Sequence, residues 1–296
     1  MDLEDFELYY YLAPHPDQAK KNIFFAHANA VPALTYKTLF ERVSQELNVN
    51  IITYDMRGMG KTKLKETIHK NIWNWQSLVD DHIFIFEQLK LKMKGPWVLA
   101  GHSLGAWLSL LTSEKLHVKT VWLFDPPILV PNIIVKWIAL ILLKKRHLSP
   151  NSRKVRKRRT SYPSYDSAYK QMKKSAFMKN WDHQCIRDYL EGSFEQKGEN
   201  IQLRHNPEWE AYLFEAYPAM AALGFLKLSL SFRRKFEPIF IVGKNSNTCN
   251  PKSKRWVKVF FPKLKWITLL NGSHMFPFEM PNETFKQFSK LISISK

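Results

Sequence analysis

Gly101-His102-Ser103-Leu104-Gly105 stands between the apolar run Pro96-Trp97-Val98-Leu99-Ala100 and the helix-forming stretch Ala106-Trp107-Leu108-Ser109-Leu110-Leu111. A short β-run, a turn with glycine on both sides of a serine, and then a helix is the context that a nucleophile elbow requires. Glycines at 101 and 105 remove side chains that would collide where strand and helix converge. The turn lifts the Ser103 hydroxyl out of the sheet. It also aims the first free N–H groups of the following helix at any oxyanion formed beside it.

Outward from this stretch, apolar runs and helical spacing alternate. Residues 23–26 read as a buried strand, and Leu39, Phe40, Val43 and Leu47 follow at helical spacing. The next strand, 51–54, closes on the glycine-rich loop Asp55-Met56-Arg57-Gly58-Met59-Gly60, and a long helix is expected over 73–92. After the elbow comes a strand over 119–124, ending at Asp125-Pro126-Pro127. Such alternation predicts a mostly parallel, doubly wound α/β sheet covered on both faces. One more strand is expected near the start, at 6–12.

Residues 126–235 break the alternation. They are basic, rich in helix formers and aromatics, and poor in strand candidates, so an inserted helical segment is expected there. The alternation resumes with a strand at 238–243, a helix at 253–260, a strand at 266–270 and a last helix from 282 to about 294. The chain therefore divides into a first core part, 1–125, an insertion, 126–235, and a second core part, 236–296.

With 296 residues the chain can bury a sizeable core. Its net charge of +19 is unevenly spread: the 126–235 segment carries 21 Lys and Arg against 9 Asp and Glu. Nine of those cations fall between Lys144 and Arg159 with no acid among them. A solvated basic surface is one reading, and attraction to anionic lipid or an acidic substrate is another. Nucleic acid is disfavoured, because no recognised nucleic-acid motif accompanies the charge. Cys185 and Cys249 lack metal or redox spacing and fit a reducing compartment. The acidic start, Met1-Asp2-Leu3-Glu4-Asp5, has no apolar core behind it and does not read as a secretory signal. A cytoplasmic location is expected, with a peripheral position at the inner membrane surface as the second reading.

Four segments, in order, resemble the α/β-hydrolase superfamily: His27-Ala28-Asn29 after an early strand, Asp55-x-Arg57-Gly58-x-Gly60 after the next, the 101–105 elbow, and Gly272-x-His274 before the last helix. The oxyanion-loop segment His27-Ala28-Asn29-Ala30-Val31-Pro32 is similar to uncharacterised members that carry His-Ala-Asn-Gly-Phe-Pro there, with two positions changed. The resemblance implies a typically eight-stranded, mostly parallel sheet with a helical cap after the sixth strand, where 126–235 falls. The short N-terminal segment leaves less room for the family's first hairpin.

The resemblance also implies roles. Ser103 is the expected nucleophile, and a serine hydroxyl needs an adjacent base to attack. His274, on the loop after the final strand, is that base. Backbone N–H groups of Leu104 and Asn29 form the expected oxyanion hole. The family usually places its acid after the seventh strand, but Gly243-Lys244-Asn245-Ser246-Asn247-Thr248-Cys249-Asn250 contains no carboxylate. Some members carry it after the sixth strand, where Asp125 lies. Asp125 is the expected partner of His274, with Asn247 as the weaker competitor.

Serine at 103 argues against the dehalogenases and epoxide hydrolases of the superfamily, which use aspartate at the elbow. The expected chemistry is hydrolysis of a carboxylic ester or related acyl bond in a small-molecule substrate, through an acyl-enzyme, with no metal or organic cofactor. The alternative is a hydrolase-fold binding protein with weak or absent catalysis. Residues 131–143 are strongly apolar but too short and lysine-interrupted to span a bilayer. They read as a buried cap helix or as an interfacial helix before a polybasic anchor at an anionic membrane. Trp137, Tyr162, Tyr165, Phe177 and Trp181 are candidates for an apolar acyl pocket or for core.

Overall fold

The apolar runs assemble into one sheet. The computed structural model describes residues 2–64, 75–128, 131–216, 238–249, 251–262 and 264–294. In chain order the first part holds β1 (Leu8–Tyr11), β2 (Asn22–Ala26), α1 (Lys37–Leu47), β3 (Asn50–Tyr54), α2 (Gln76–Lys92), β4 (Trp97–His102), α3 (Leu104–Thr112) and β5 (Thr120–Phe124). Then come α4 (Pro131–Leu142), α5 (Pro150–Arg156), β6 (Ser161–Tyr162), α6 (Tyr165–Lys174), α7 (His183–Ser193), β7 (Phe194–Lys197), β8 (Asn200–Leu203) and α8, described over 207–216. The last part holds β9 (Ile239–Gly243), α9 (Pro251–Phe260), β10 (Lys265–Leu269), α10 (Phe276–Glu279) and α11 (Pro281–Ile294).

Among the described residues, seven strands pair in the order β1-β3-β2-β4-β5-β9-β10, with β1 antiparallel to β3 and every other pair parallel. Strands β2, β3 and β9 are buried at every residue, as both faces of the sheet are covered. Phe86, Leu89 and Leu108, from α2 and α3, pack on one face. Leu39, Phe40, Phe288 and Leu291, from α1 and α11, pack on the other. Each such side chain contributes roughly 1.5–3 kcal/mol by leaving water. Helix α1 ends where Asn48 takes a left-handed conformation (φ 56°), a stop that asparagine tolerates.

The segment after β5 holds helices, as its composition suggests, and also a small antiparallel sheet in the order β6-β8-β7 that the sequence reading did not anticipate. Its strands are two to four residues long, too short for a period-2 signal to stand out. The expected boundary at 235/236 and the start of the 73–92 helix lie outside the described residues. Tyr162 and Trp181 are core, Trp181 stacking on Phe278 at 4.4 Å, whereas Tyr165 and Phe177 are exposed. The 131–143 stretch leaves Val135, Ile138, Leu142 and Leu143 exposed. Among the described residues no helix is long and apolar enough to cross a membrane.

The segment after β5 is tied to the large sheet at several points. Helix α7 packs on the 3-10 turn Ala33–Tyr36, and its Asp188 accepts hydrogen bonds from the N–H (3.1 Å) and hydroxyl (2.6 Å) of Thr38 in the first turn of α1. Trp209 of α8 donates its indole N–H to the Arg57 carbonyl at 2.8 Å. A Cβ at Gly58 would lie 2.8 Å from that indole, so the glycine-rich loop after β3 is glycine at 58 partly to admit Trp209.

Candidate active site

Ser103 alone turns the chain from β4 into α3, with φ 56° and ψ −116°. A non-glycine residue held there costs roughly 1–3 kcal/mol and persists only when its surroundings over-determine it. They do. The Ser103 N–H donates to the Phe124 carbonyl at 2.9 Å. A Cβ at Gly101 would stand 2.3 Å from the Gly105 carbonyl oxygen, and one at Gly105 would stand 2.0 Å from that of Ala26. Strand β2, strand β4 and helix α3 therefore meet backbone to backbone, and no side chain fits at either glycine.

His274 comes from the loop after β10. Its Nε2 lies 3.0 Å from Ser103 Oγ, and its Nδ1 lies 2.7 Å from Asp125 Oδ2. Asp125 is within reach because of the sheet. β4 and β5 are adjacent parallel strands with His102 opposite Phe124, so Ser103 and Asp125 each follow one member of that pair. Asp125 also has a positive φ, 44°. Two of the three linked residues thus hold strained backbone, a feature that concentrates at functional sites.

The Asp125 side chain is fully buried, and a buried carboxylate needs donors around it. Oδ1 accepts the Gly243 N–H at 3.0 Å. Oδ2 accepts the hydroxyls of Ser246 at 2.5 Å and Thr248 at 2.7 Å, besides facing the imidazole. Thr248 Oγ1 is also 2.9 Å from His274 Nδ1. The loop after β9 has no acid of its own but supplies these hydroxyls to the acid from β5. Asn247, between them, is exposed. Ser246 and Thr248 were missed in the sequence because a search for a carboxylate passes over hydroxyls that read as turn residues.

Removing both hydroxyls, as Ser246→Ala with Thr248→Val, leaves the carboxylate with fewer donors and freer to rotate. Hydrogen bonds to charged groups are worth about 1.5–3 kcal/mol. The double variant is expected to lose roughly 10- to 100-fold in kcat with KM little changed, measured on any turned-over acyl substrate. A merely structural role would move thermal stability and leave kcat intact.

Two other histidines order the surrounding loops. His102 Nε2 is 2.8 Å from the His274 carbonyl, and its Nδ1 is 2.8 Å from the Tyr36 hydroxyl. The Nε2–H tautomer satisfies both contacts: it donates to the carbonyl and accepts from Tyr36. Tyr36 in turn accepts the Ala28 N–H at 3.3 Å. His27 accepts the Met56 N–H at Nε2 (2.9 Å) and donates from Nδ1 to the Ala28 carbonyl (2.7 Å). The His27-Ala28-Asn29 loop is thereby tied to the loop that bears His274 and to the loop after β3. Asn29 donates its amide to the Glu210 carbonyl in α8 at 3.2 Å. Leu104 opens α3, so its N–H has no acceptor within the helix.

Burial keeps both of these histidines neutral, and likewise His82, fully buried in α2. It lowers His27 from 6.5 to about 4, His82 to about 3, and His102 well below 6.5. The unfolded chain takes up a proton at each near pH 6.5 while the folded chain does not, so stability is lost as pH falls below 6.5. Asp55 opposes this. Burial raises it from 3.8 to about 6, so between those values the folded chain binds the extra proton. Three histidines outweigh one aspartate, and the urea midpoint is expected to drop steadily between pH 6.5 and 4. A midpoint that rises over that range would contradict the assigned neutral imidazoles.

Among the described residues no group of His, Cys, Asp and Glu is placed to hold a metal ion, and Cys185 and Cys249 are free and buried. The site is a serine, an imidazole and a carboxylate in line.

No curated protein matches the sequence. Among solved structures, the chain resembles the peroxisomal alpha-beta-hydrolase Lpx1 of Saccharomyces cerevisiae, with TM-score 0.76 at 16% identity over 98% of this chain and 83% of that one. It resembles a thioesterase domain from the curacin biosynthetic pathway with TM-score 0.72 at 12% identity, over 96% and 94% of the two chains. A structure reported with the carboxylesterases of Nitrososphaera gargenis aligns with TM-score 0.65 at 15% identity, over 97% and 94%. At these identities the likeness is one of fold. The model of the alpha/beta hydrolase family matches residues 23–287, which takes in β2, the elbow, Asp125 and His274, and the chain belongs to that family.

Proposed function

We propose that this protein is a serine hydrolase that cleaves a carboxylic ester or related acyl bond through an acyl-enzyme on Ser103. The observation that carries the reading is the unbroken line Asp125 Oδ2–His274 Nδ1–Ser103 Oγ, with links of 2.7 and 3.0 Å. Membership of a hydrolase family supports the class, and solved structures of the same fold include a thioesterase domain and a carboxylesterase.

Each residue has one task. The Asp125 carboxylate accepts the Nδ1–H and so leaves the Nε2 lone pair facing Ser103. As Ser103 Oγ attacks the acyl carbon, His274 Nε2 takes the hydroxyl proton and Asp125 steadies the imidazolium. The carbonyl oxygen becomes an oxyanion, which the backbone N–H groups of Leu104 and Asn29 receive. On collapse of the tetrahedral intermediate, His274 hands its proton to the leaving group. Water then repeats the sequence on the acyl-enzyme, with His274 as base, releasing the carboxylic acid and restoring Ser103.

The alternative of a binding protein without catalysis drew its motive from the missing carboxylate after β9. Asp125 Oδ2, 2.7 Å from His274 Nδ1, supplies a carboxylate from the neighbouring strand and supports the enzyme reading. Pre-steady-state hydrolysis of a short-chain p-nitrophenyl ester tests the proposal. A burst of about one nitrophenolate per chain before slower turnover is expected of an acyl-enzyme. Turnover with no burst and no trapped acyl adduct would overturn it.

A further inference from the structure

Helix α4 and the basic run that follows it form one exposed face. Val135, Ile138 and Leu142 recur on one side of α4 and are 65%, 49% and 76% exposed. Leu143 and Leu148 continue the exposed apolar surface at 63% and 43%. Large aliphatic side chains that share one helical stripe and all face solvent are unusual in a water-facing helix, whose exposed side is ordinarily polar.

Charge surrounds this stripe. Three cations of the basic run are used internally. Arg156 pairs with Glu208 and Glu215, Arg158 with Glu210, and Arg159 donates to the Ser161 carbonyl and Gln171. The others are not. Lys136 lies within α4, Lys144 and Lys145 follow its last turn, and Arg153, Lys154 and Lys157 lie on or just after α5, all of them exposed. None of these six takes part in an ion pair among the described residues. Helices α4 and α5 both pack on the turn Arg146–Leu148, so stripe and cations belong to one contiguous region.

We infer that this region docks the protein on an anionic phospholipid bilayer, with α4 lying in the interface. The aliphatic stripe enters the boundary between headgroups and acyl chains, and the six cations meet the acidic headgroups. The length of α4, 12 residues or about 18 Å, is too short to span and suits a helix lying in the plane. A nucleic acid would satisfy the cations but has no use for valine, isoleucine and leucine. Single strands are held on aromatic rings and duplexes by polar contacts. The inference is independent of the chemistry proposed for Ser103.

Flotation of the full chain with phosphatidylcholine vesicles, with and without phosphatidylserine, tests it. Binding is expected only with phosphatidylserine present and is expected to weaken as salt is raised. Two variants separate the contributions: Ile138→Glu with Leu142→Glu, and Lys144→Gln with Lys145→Gln and Lys154→Gln. Each is expected to lose at least about tenfold in vesicle affinity while keeping the wild-type Tm and monomer–dimer behaviour. Failure of the wild type to float with phosphatidylserine vesicles overturns the inference, as does unchanged binding by both variants. A large drop in Tm for the glutamate variant overturns it too, because the stripe would then be covered by the protein's own chain. A dimer that this variant dissociates would assign the face to a second copy.

Discussion

Ser103→Ala is expected to lower kcat by about 10⁶-fold, the scale on which loss of the nucleophile acts in a serine enzyme. The variant removes the atom that the proposed mechanism bonds to the acyl group, and nothing nearby replaces it. His274 Nε2 faces Ser103 Oγ at 3.0 Å, and the cysteines are both buried. The substitution is mild for the fold. Alanine has the same Cβ, and the Ser103 N–H to the Phe124 carbonyl is a backbone contact that survives. Tm is therefore expected to hold, and it does not fall as the burial of a new polar group or a core cavity would make it. Activity within tenfold of wild type would remove Ser103 from the reaction.

Asp125→Asn is expected to cost roughly 10⁴ in kcat, the effect of the same change in a serine-protease triad. The amide keeps the shape but reverses the chemistry. If its NH₂ group faces His274 Nδ1, the imidazole is driven to the tautomer that carries its proton on Nε2. That proton points at Ser103 Oγ, and the base is lost. If its carbonyl faces Nδ1, the NH₂ group replaces Oδ1 opposite the Gly243 N–H, setting donor against donor. The hydroxyls of Ser246 and Thr248 can rotate, and the Gly243 N–H cannot, so the first orientation is favoured. The positive φ of Asp125, 44°, is tolerated by asparagine as well as by aspartate, which keeps the backbone out of the comparison. The prediction separates Asp125 from Asn247: Asn247→Ala, at an exposed position, is expected to leave kcat within about twofold. An unaffected Asp125→Asn enzyme would reject the account of the acid.

Most of the sheet was legible because its strands are buried on both faces and so read as short apolar runs, Ile23-Phe24-Phe25-Ala26 and Ile239-Phe240-Ile241-Val242 among them. The elbow was legible because glycine is forced at 101 and 105, where a Cβ would stand 2.3 and 2.0 Å from backbone oxygens, and a steric demand of that kind leaves a mark in sequence. Asp125 was legible as a candidate only through its place after the strand next to the elbow. The register that pairs His102 with Phe124, which brings it to His274, is a tertiary fact. Ser246 and Thr248 left no such mark, since hydroxyl residues in a turn are common and their partner lies more than a hundred positions away in sequence. The role of His102 was not legible beside the elbow. Its link to the His274 carbonyl depends on a loop that follows β10. The strands β6, β7 and β8 were hidden by their brevity, and the apolar composition of α4 left a buried and an interfacial helix both open until its neighbours were known.

The most direct measurement is labelling of the intact protein with a fluorophosphonate, followed by mass mapping of the adduct. A serine activated by His274 and Asp125 reacts with such a probe as it does with an acyl group. The account predicts one phosphonyl group per chain, on the peptide that contains Gly101-His102-Ser103-Leu104-Gly105. It predicts none in Ser103→Ala and much slower labelling in Asp125→Asn. A wild-type protein that stays unlabelled, or one whose adduct maps to another residue, would contradict it.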